Sequence, residues 1–110
     1  MKIEYKSGKL RKQLEDASEI KKAFGSNAKR VSARIDDIRA APNLAVLIQV
    51  RSANCHSLSG DKKGEWAVDI SGNYRIIFEI DQDPIPIKKD GGVNCILVTD
   101  IRILSTIDYH

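Results

Sequence analysis

Two histidines, His56 and His110, are the only imidazoles in a chain of 110 residues. Asp61, Lys62, Lys63, Tyr74 and Arg75 follow His56 within twenty positions, and His110 closes the run Asp108-Tyr109-His110. An imidazole changes charge near neutrality, so it can take or give a proton at physiological pH. A guanidinium can stabilise the added negative charge of a phosphoryl transition state through paired N–H groups. Such a set suits acid–base work on a phosphodiester that brings its own nucleophile. RNA does: a base removes the proton of the 2′-hydroxyl, the oxygen attacks the neighbouring phosphorus, and an acid protonates the departing 5′-oxygen. DNA lacks that hydroxyl and would be spared.

Each residue also has an ordinary role. His56 suits a loop histidine making routine hydrogen bonds, and Lys62 and Lys63 suit a solvated surface. Arg75 could pair across a strand with an acid such as Asp69. Tyr74 could pack against the core or, if exposed, stack on a base. Cys55 and Cys95 stand far apart without a CxxC spacing. They read as two reduced thiols, and neither a zinc site nor any other cofactor is expected.

The elements that must position these groups follow from periodicity. Residues 2–5 read as a short strand with Ile3 and Tyr5 on one face. Residues 9–16 place Leu10 and Leu14 four apart, as on one side of a helix. Ser18 suits the N-cap of a second helix. Along that helix Phe24, Ala28, Val31, Ile35 and Ile38 form one apolar stripe. Gly25 is its soft spot and Pro42 closes it. Residues 44–50, LAVLIQV, fit a buried helical turn or a strand equally well. Residues 51–65 are polar with two glycines and read as a loop. EWAVDI and YRIIFEI then alternate as two strands joined by Ser71-Gly72-Asn73. Residues 81–94 form a long second connection broken by Pro84, Pro86, Gly91 and Gly92, and residues 95–107 read as a third strand. The expectation is an α+β domain over residues 1–110: a small twisted, mostly antiparallel sheet packed against an N-terminal helical pair. Such a sheet could bring the loop, Arg75 and residues 108–110 to one rim.

Net charge is +3, unevenly spread. Residues 1–39 hold 11 basic and 6 acidic side chains, a balance of +5, and the remainder holds 7 and 9, a balance of −2. A basic N-terminal part is compatible with nucleic acid or an acidic partner. No apolar run approaches the length of a membrane span, and the first residues lack the apolar core of a signal peptide. The chain is therefore expected to be cytoplasmic, with no membrane partner.

Four ordered motifs carry a resemblance. They are His56-Ser57-Leu58-Ser59-Gly60-Asp61, Gly64-Glu65-Trp66-Ala67-Val68, Asn73-Tyr74-Arg75 and the closing Asp108-Tyr109-His110. Together with the helix and turn upstream, they resemble the HigB branch of the RelE/ParE toxin superfamily, the plasmid maintenance killer proteins. The resemblance implies a RelE-like fold and a toxin of a type II toxin–antitoxin pair. It implies a ribosome-dependent endoribonuclease, metal-independent, that cleaves mRNA in the A site of the 70S ribosome. It also implies a helix-turn-helix, HigA-like antitoxin. By motif match His56, Arg75, Asp108, Tyr109 and His110 are the catalytic candidates; Lys62, Lys63 and Tyr74 are added, without a motif, as candidate RNA or phosphate contacts. His56 and His110 would be the general acid and base candidates, Arg75 would hold the phosphate, and Asp108 would orient or tune an imidazole. Ser59 stands where the family often has lysine, and the 81–94 connection is longer than the family's hairpin. Two other readings therefore stay open: a ParE-like non-enzymatic gyrase inhibitor, and a degenerate homologue that only binds its antitoxin.

Overall fold

The computed structural model describes residues 1–108. The chain begins with strand β1 (Lys2–Tyr5), followed by helices α1 (Gly8–Glu15), α2 (Ala17–Phe24), α3 (Ala28–Ala40) and the short α4 (Leu44–Ile48). Strands β2 (His56–Ser57), β3 (Glu65–Asp69), β4 (Tyr74–Ile80) and β5 (Asp100–Asp108) complete it. They form one five-stranded sheet in the order β1-β5-β4-β3-β2. Strand β1 runs parallel to β5, and every other pairing is antiparallel. The expected α+β architecture with a mostly antiparallel sheet is thus the one observed.

The helical layer differs from a pair. Gly25 takes φ +53°, a left-handed conformation that suits glycine and stops α2. One 3-10 turn over Gly25–Asn27 follows, and α3 starts afresh at Ala28. What periodicity joined into one helix is therefore two, because the apolar stripe continues through a break it cannot report. The cap also moves. Asp16, not Ser18, closes the first turn of α2: its Oδ1 accepts from the backbone N–H of Ser18 at 2.9 Å and of Glu19 at 3.2 Å. The hydroxyl of Ser18, donating to the same carboxylate, leads in holding it below the usual aspartate range. Residues 44–48 resolve as helix, begun by Asn43, whose Oδ1 accepts from the Val46 N–H at 3.0 Å.

The loop expected over 51–65 contains the edge strand β2. Its two residues pair His56 with Ala67 and Ser57 with Trp66. Two paired residues are too few for alternation to show in a sequence. The meander therefore has four antiparallel strands rather than three. The last strand also begins later than expected, at Asp100, because Cys95–Leu97 wind into a 3-10 turn. Within the 81–94 connection, the Lys88 N–H donates to the Gly92 carbonyl at 2.7 Å and Ile87 bridges Val93, a small hairpin of its own.

The core lies between the helices and one face of the sheet. Leu14, Ile20, Val31, Ile35, Ile38, Leu44 and Leu47 meet Val68, Ile70, Ile76, Phe78, Ile80, Ile101 and Ile103 there. Each large apolar side chain so buried is worth about 1.5–3 kcal/mol relative to exposure. Strand β5 carries a bulge. Ile77 faces Ser105 but the next residue, Phe78, faces Ile103, so Leu104 has no counterpart on β4.

Candidate functional site

Alternate residues of a strand point to opposite faces, so the register sorts the candidates. Val68, Ile76 and Phe78 belong to the helix-packed core. Their neighbours in sequence therefore point to the other, open face. One row across that face is His56, Ala67, Ile77 and Ser105, and the next is Asp69, Arg75 and Ile107. Ala67 and Ile77 at its centre are fully buried although they lie outside the helix-packed core. Farther along, Arg102 pairs with Glu79 at 3.5 Å and Asp81 at 3.1 Å.

His56 is half-buried, and its Nδ1 lies 2.7 Å from the carbonyl oxygen of Asn54. A carbonyl can only accept, so the contact assigns a proton to Nδ1, and in the neutral ring this leaves Nε2 with its lone pair. Asp69 is a diagonal neighbour of His56 across the sheet, a position that puts Cβ atoms about 7–8 Å apart. Its Oδ2 accepts from Asn54 Nδ2 at 2.9 Å. Its Oδ1 lies 3.3 Å from Arg75 Nε, an ion pair across the β3–β4 ladder rather than an aligned hydrogen bond. The cross-strand partnership of Arg75 with Asp69 is therefore real, and it sits inside the candidate site. Arg75 is 31% exposed, so solvent screens the pair and its worth to stability is small, about 1 kcal/mol or less.

Other candidates are placed elsewhere. Tyr74 faces the helices and meets Phe24 edge-on, with ring centroids 5.8 Å apart. Asp108 is exposed and pairs with Tyr74, so its position in the register points to the helix side, away from His56 and Arg75. Lys62 and Lys63 occupy the β2–β3 connection. They lie at the end of β3 remote from Asp69, separated by four residues of strand or about 13 Å. Lys63 lines a cleft of about 530 Å³ with Leu58, Trp66, Val93 and Cys95. Tyr109 and His110 lie outside the described residues.

Sequence reasoning missed Asn54. It is the one described non-glycine residue with positive φ (44°), and it ends a 3-10 turn over Arg51–Ala53. Asparagine tolerates this left-handed region better than most residues. The only signal in the sequence was an asparagine two positions before the histidine. Cys55, between them, is buried, and that burial pushes its thiol up to about 12. Backbone alternation thus sends two consecutive side chains to opposite sides: Cys55 into the core and His56 onto the open face.

No family model matches the chain, and no curated protein matches it. Solved structures do. The YoeB/ParE toxin from Agrobacterium tumefaciens is 11% identical, superposes with a TM-score of 0.58, and is covered in full, as is this chain. YafQ from E. coli strain BL21(DE3) is 15% identical with a TM-score of 0.47, over 96% of this chain and 90% of that one. The finer likeness to the HigB branch rests on the sequence motifs and not on shared architecture. With β1 returning parallel beside β5, a four-strand antiparallel run and helices on one face, the chain has the fold of the RelE/ParE toxins.

Proposed function

We propose that this protein is the toxin of a toxin–antitoxin pair and an mRNA endoribonuclease acting on translating ribosomes. The observation that carries the reading is the placement of His56 and Arg75 on one open sheet face, with the imidazole anchored through Nδ1. That tautomer leaves Nε2 able to take the proton of an RNA 2′-hydroxyl. The freed oxygen bonds to the adjacent phosphorus while the P–O5′ bond breaks, giving a 2′,3′-cyclic phosphate. Arg75 stabilises the charge that develops on the phosphoryl oxygens. A second group must protonate the departing 5′-oxygen, and His110 is assigned that task by motif match alone. Tyr109 is proposed by motif match alone to shape the same end of the site, and Lys62 and Lys63 to guide the RNA strand. A helix-turn-helix antitoxin is the expected partner. No helix among the described residues is long and apolar enough to cross a membrane.

Primer extension on an mRNA in a translating extract tests the reading. Cuts aligned with codons that need ribosomes and vanish with His56→Ala are expected. Absence of cuts by folded protein, together with loss of gyrase supercoiling activity, would replace it with the non-enzymatic gyrase inhibitor. Inactivity in both assays would leave a protein that only binds its antitoxin.

A further inference from the structure

We propose that Asn54 is the positioning residue of the site, tying the imidazole of His56 to the guanidinium of Arg75. The inference rests on the endoribonuclease reading and adds to it a residue that no motif marks. Three contacts carry it. The Asn54 carbonyl accepts from His56 Nδ1 at 2.7 Å, which fixes both the ring and its tautomer. The Asn54 amide donates to Asp69 Oδ2 at 2.9 Å. The other oxygen of that carboxylate holds Arg75 Nε at 3.3 Å. One residue therefore reaches both reacting groups, one through its backbone and the other through its side chain and a single carboxylate.

The backbone of Asn54 supports the same conclusion. At φ 44° and ψ 50° it sits in the left-handed region, where a side chain costs energy unless the surroundings hold it. A loop needing only a chain reversal would take glycine there, as residues 25, 60, 64 and 91 do. Asparagine at this position keeps the reversal and adds a donor aimed at Asp69. Alanine would lose the donor and strain the turn together, so it is a poor probe. Glycine keeps the turn and removes only the amide. Aspartate keeps the shape and replaces the donor with a second carboxylate facing Asp69.

The test measures cleavage of a short mRNA by wild type, Asn54→Gly and Asn54→Asp on purified programmed ribosomes, from acid to alkaline pH. Imidazole and guanidinium ¹⁵N spectra of the free proteins run alongside. Asn54→Gly is expected to lower the rate at saturating ribosomes by about ten- to a hundredfold, with the half-saturating concentration unchanged. Asn54→Asp is expected to be as slow at neutral pH. Its rate relative to wild type should then climb as pH falls, because one proton shared between two facing carboxylates restores the hydrogen bond. A destabilised loop without a positioning role would not produce that acid rescue. Both substitutions should shift the His56 and Arg75 ¹⁵N signals. If wild type cuts and both variants cut equally fast, the positioning role is overturned and the endoribonuclease reading stands. If wild type does not cut, that reading falls, and the spectra decide the tie by themselves: signals of His56 and Arg75 unmoved by Asn54→Gly overturn it.

Discussion

The two faces of the sheet are built from the same strands and differ in what they spend those residues on. The helix side carries Val68, Ile76, Phe78, Ile101 and Ile103, all fully buried. The open side carries His56, Asp69, Arg75, Glu79 and Arg102 around a small apolar centre, Ala67 and Ile77. The first face holds the molecule together and can be read from hydrophobicity. The second holds charged groups in partial contact with water, where hydrogen bonds and ion pairs set geometry and contribute little to stability. A sheet divided in this way should separate under mutation into a face that melts and a face that stops working.

The largest effect on stability should come from Phe78→Ala, which removes a fully buried ring and costs about 3–5 kcal/mol by urea unfolding. A loss under 1 kcal/mol would mean that the helix side is not the core it looks to be. Of similar size, but in activity, is His56→Ala. Cleavage should fall by about 10²–10⁴-fold while unfolding stays within about 0.5 kcal/mol of wild type. If the protein melts instead, His56 belongs with the structural face. Ile77→Val probes the boundary between the faces and should cost about 0.5–1.5 kcal/mol. No change there would show that the apolar centre of the open side contributes nothing.

The smallest effect concerns Cys55, which the core buries beside His56. Its folded value near 12 lies above the ordinary 9.0. Stability gained by keeping the thiol neutral is therefore complete below pH 9 and is lost as pH rises toward 12. At pH 8 an alkylating reagent should label half-exposed Cys95 and leave Cys55 intact until the protein unfolds. Equal labelling of both thiols in native protein would place residue 55 on the open side, against the register.

The sequence made some of this visible and hid the rest for physical reasons. The β3–β4 hairpin was legible because its alternation is regular and Ser71-Gly72-Asn73 interrupts it. Arg75 opposite Asp69 was legible as a pairing, since cross-strand charge is a matter of position alone. The break at Gly25 was half-visible: the residue stood out, but the apolar stripe ran on past it. Strand β2 was invisible because two residues make no pattern. Asn54 was invisible for a deeper reason. Half of what it does comes from its carbonyl, which every residue possesses, and depends on a left-handed turn that no spacing announces.

The unpaired Leu104 in β5 has a consequence for how such a chain could change over generations. In a regular ladder one residue more or fewer turns everything beyond it over, but a bulge absorbs the extra residue. With Leu104 present, Ile107 lines up with Arg75 on the open side and Asp108 with Tyr74 on the helix side. A chain that lost this one codon would bring Ser105 next to Ile103, still opposite Ile77, and would close the ladder into regular alternation with the end of β5 on the sides it holds now. At this one position a single-residue deletion is a shorter evolutionary step than the same loss in a regular strand. Lineages can therefore differ by this one residue and still keep which side of the sheet the strand's end addresses.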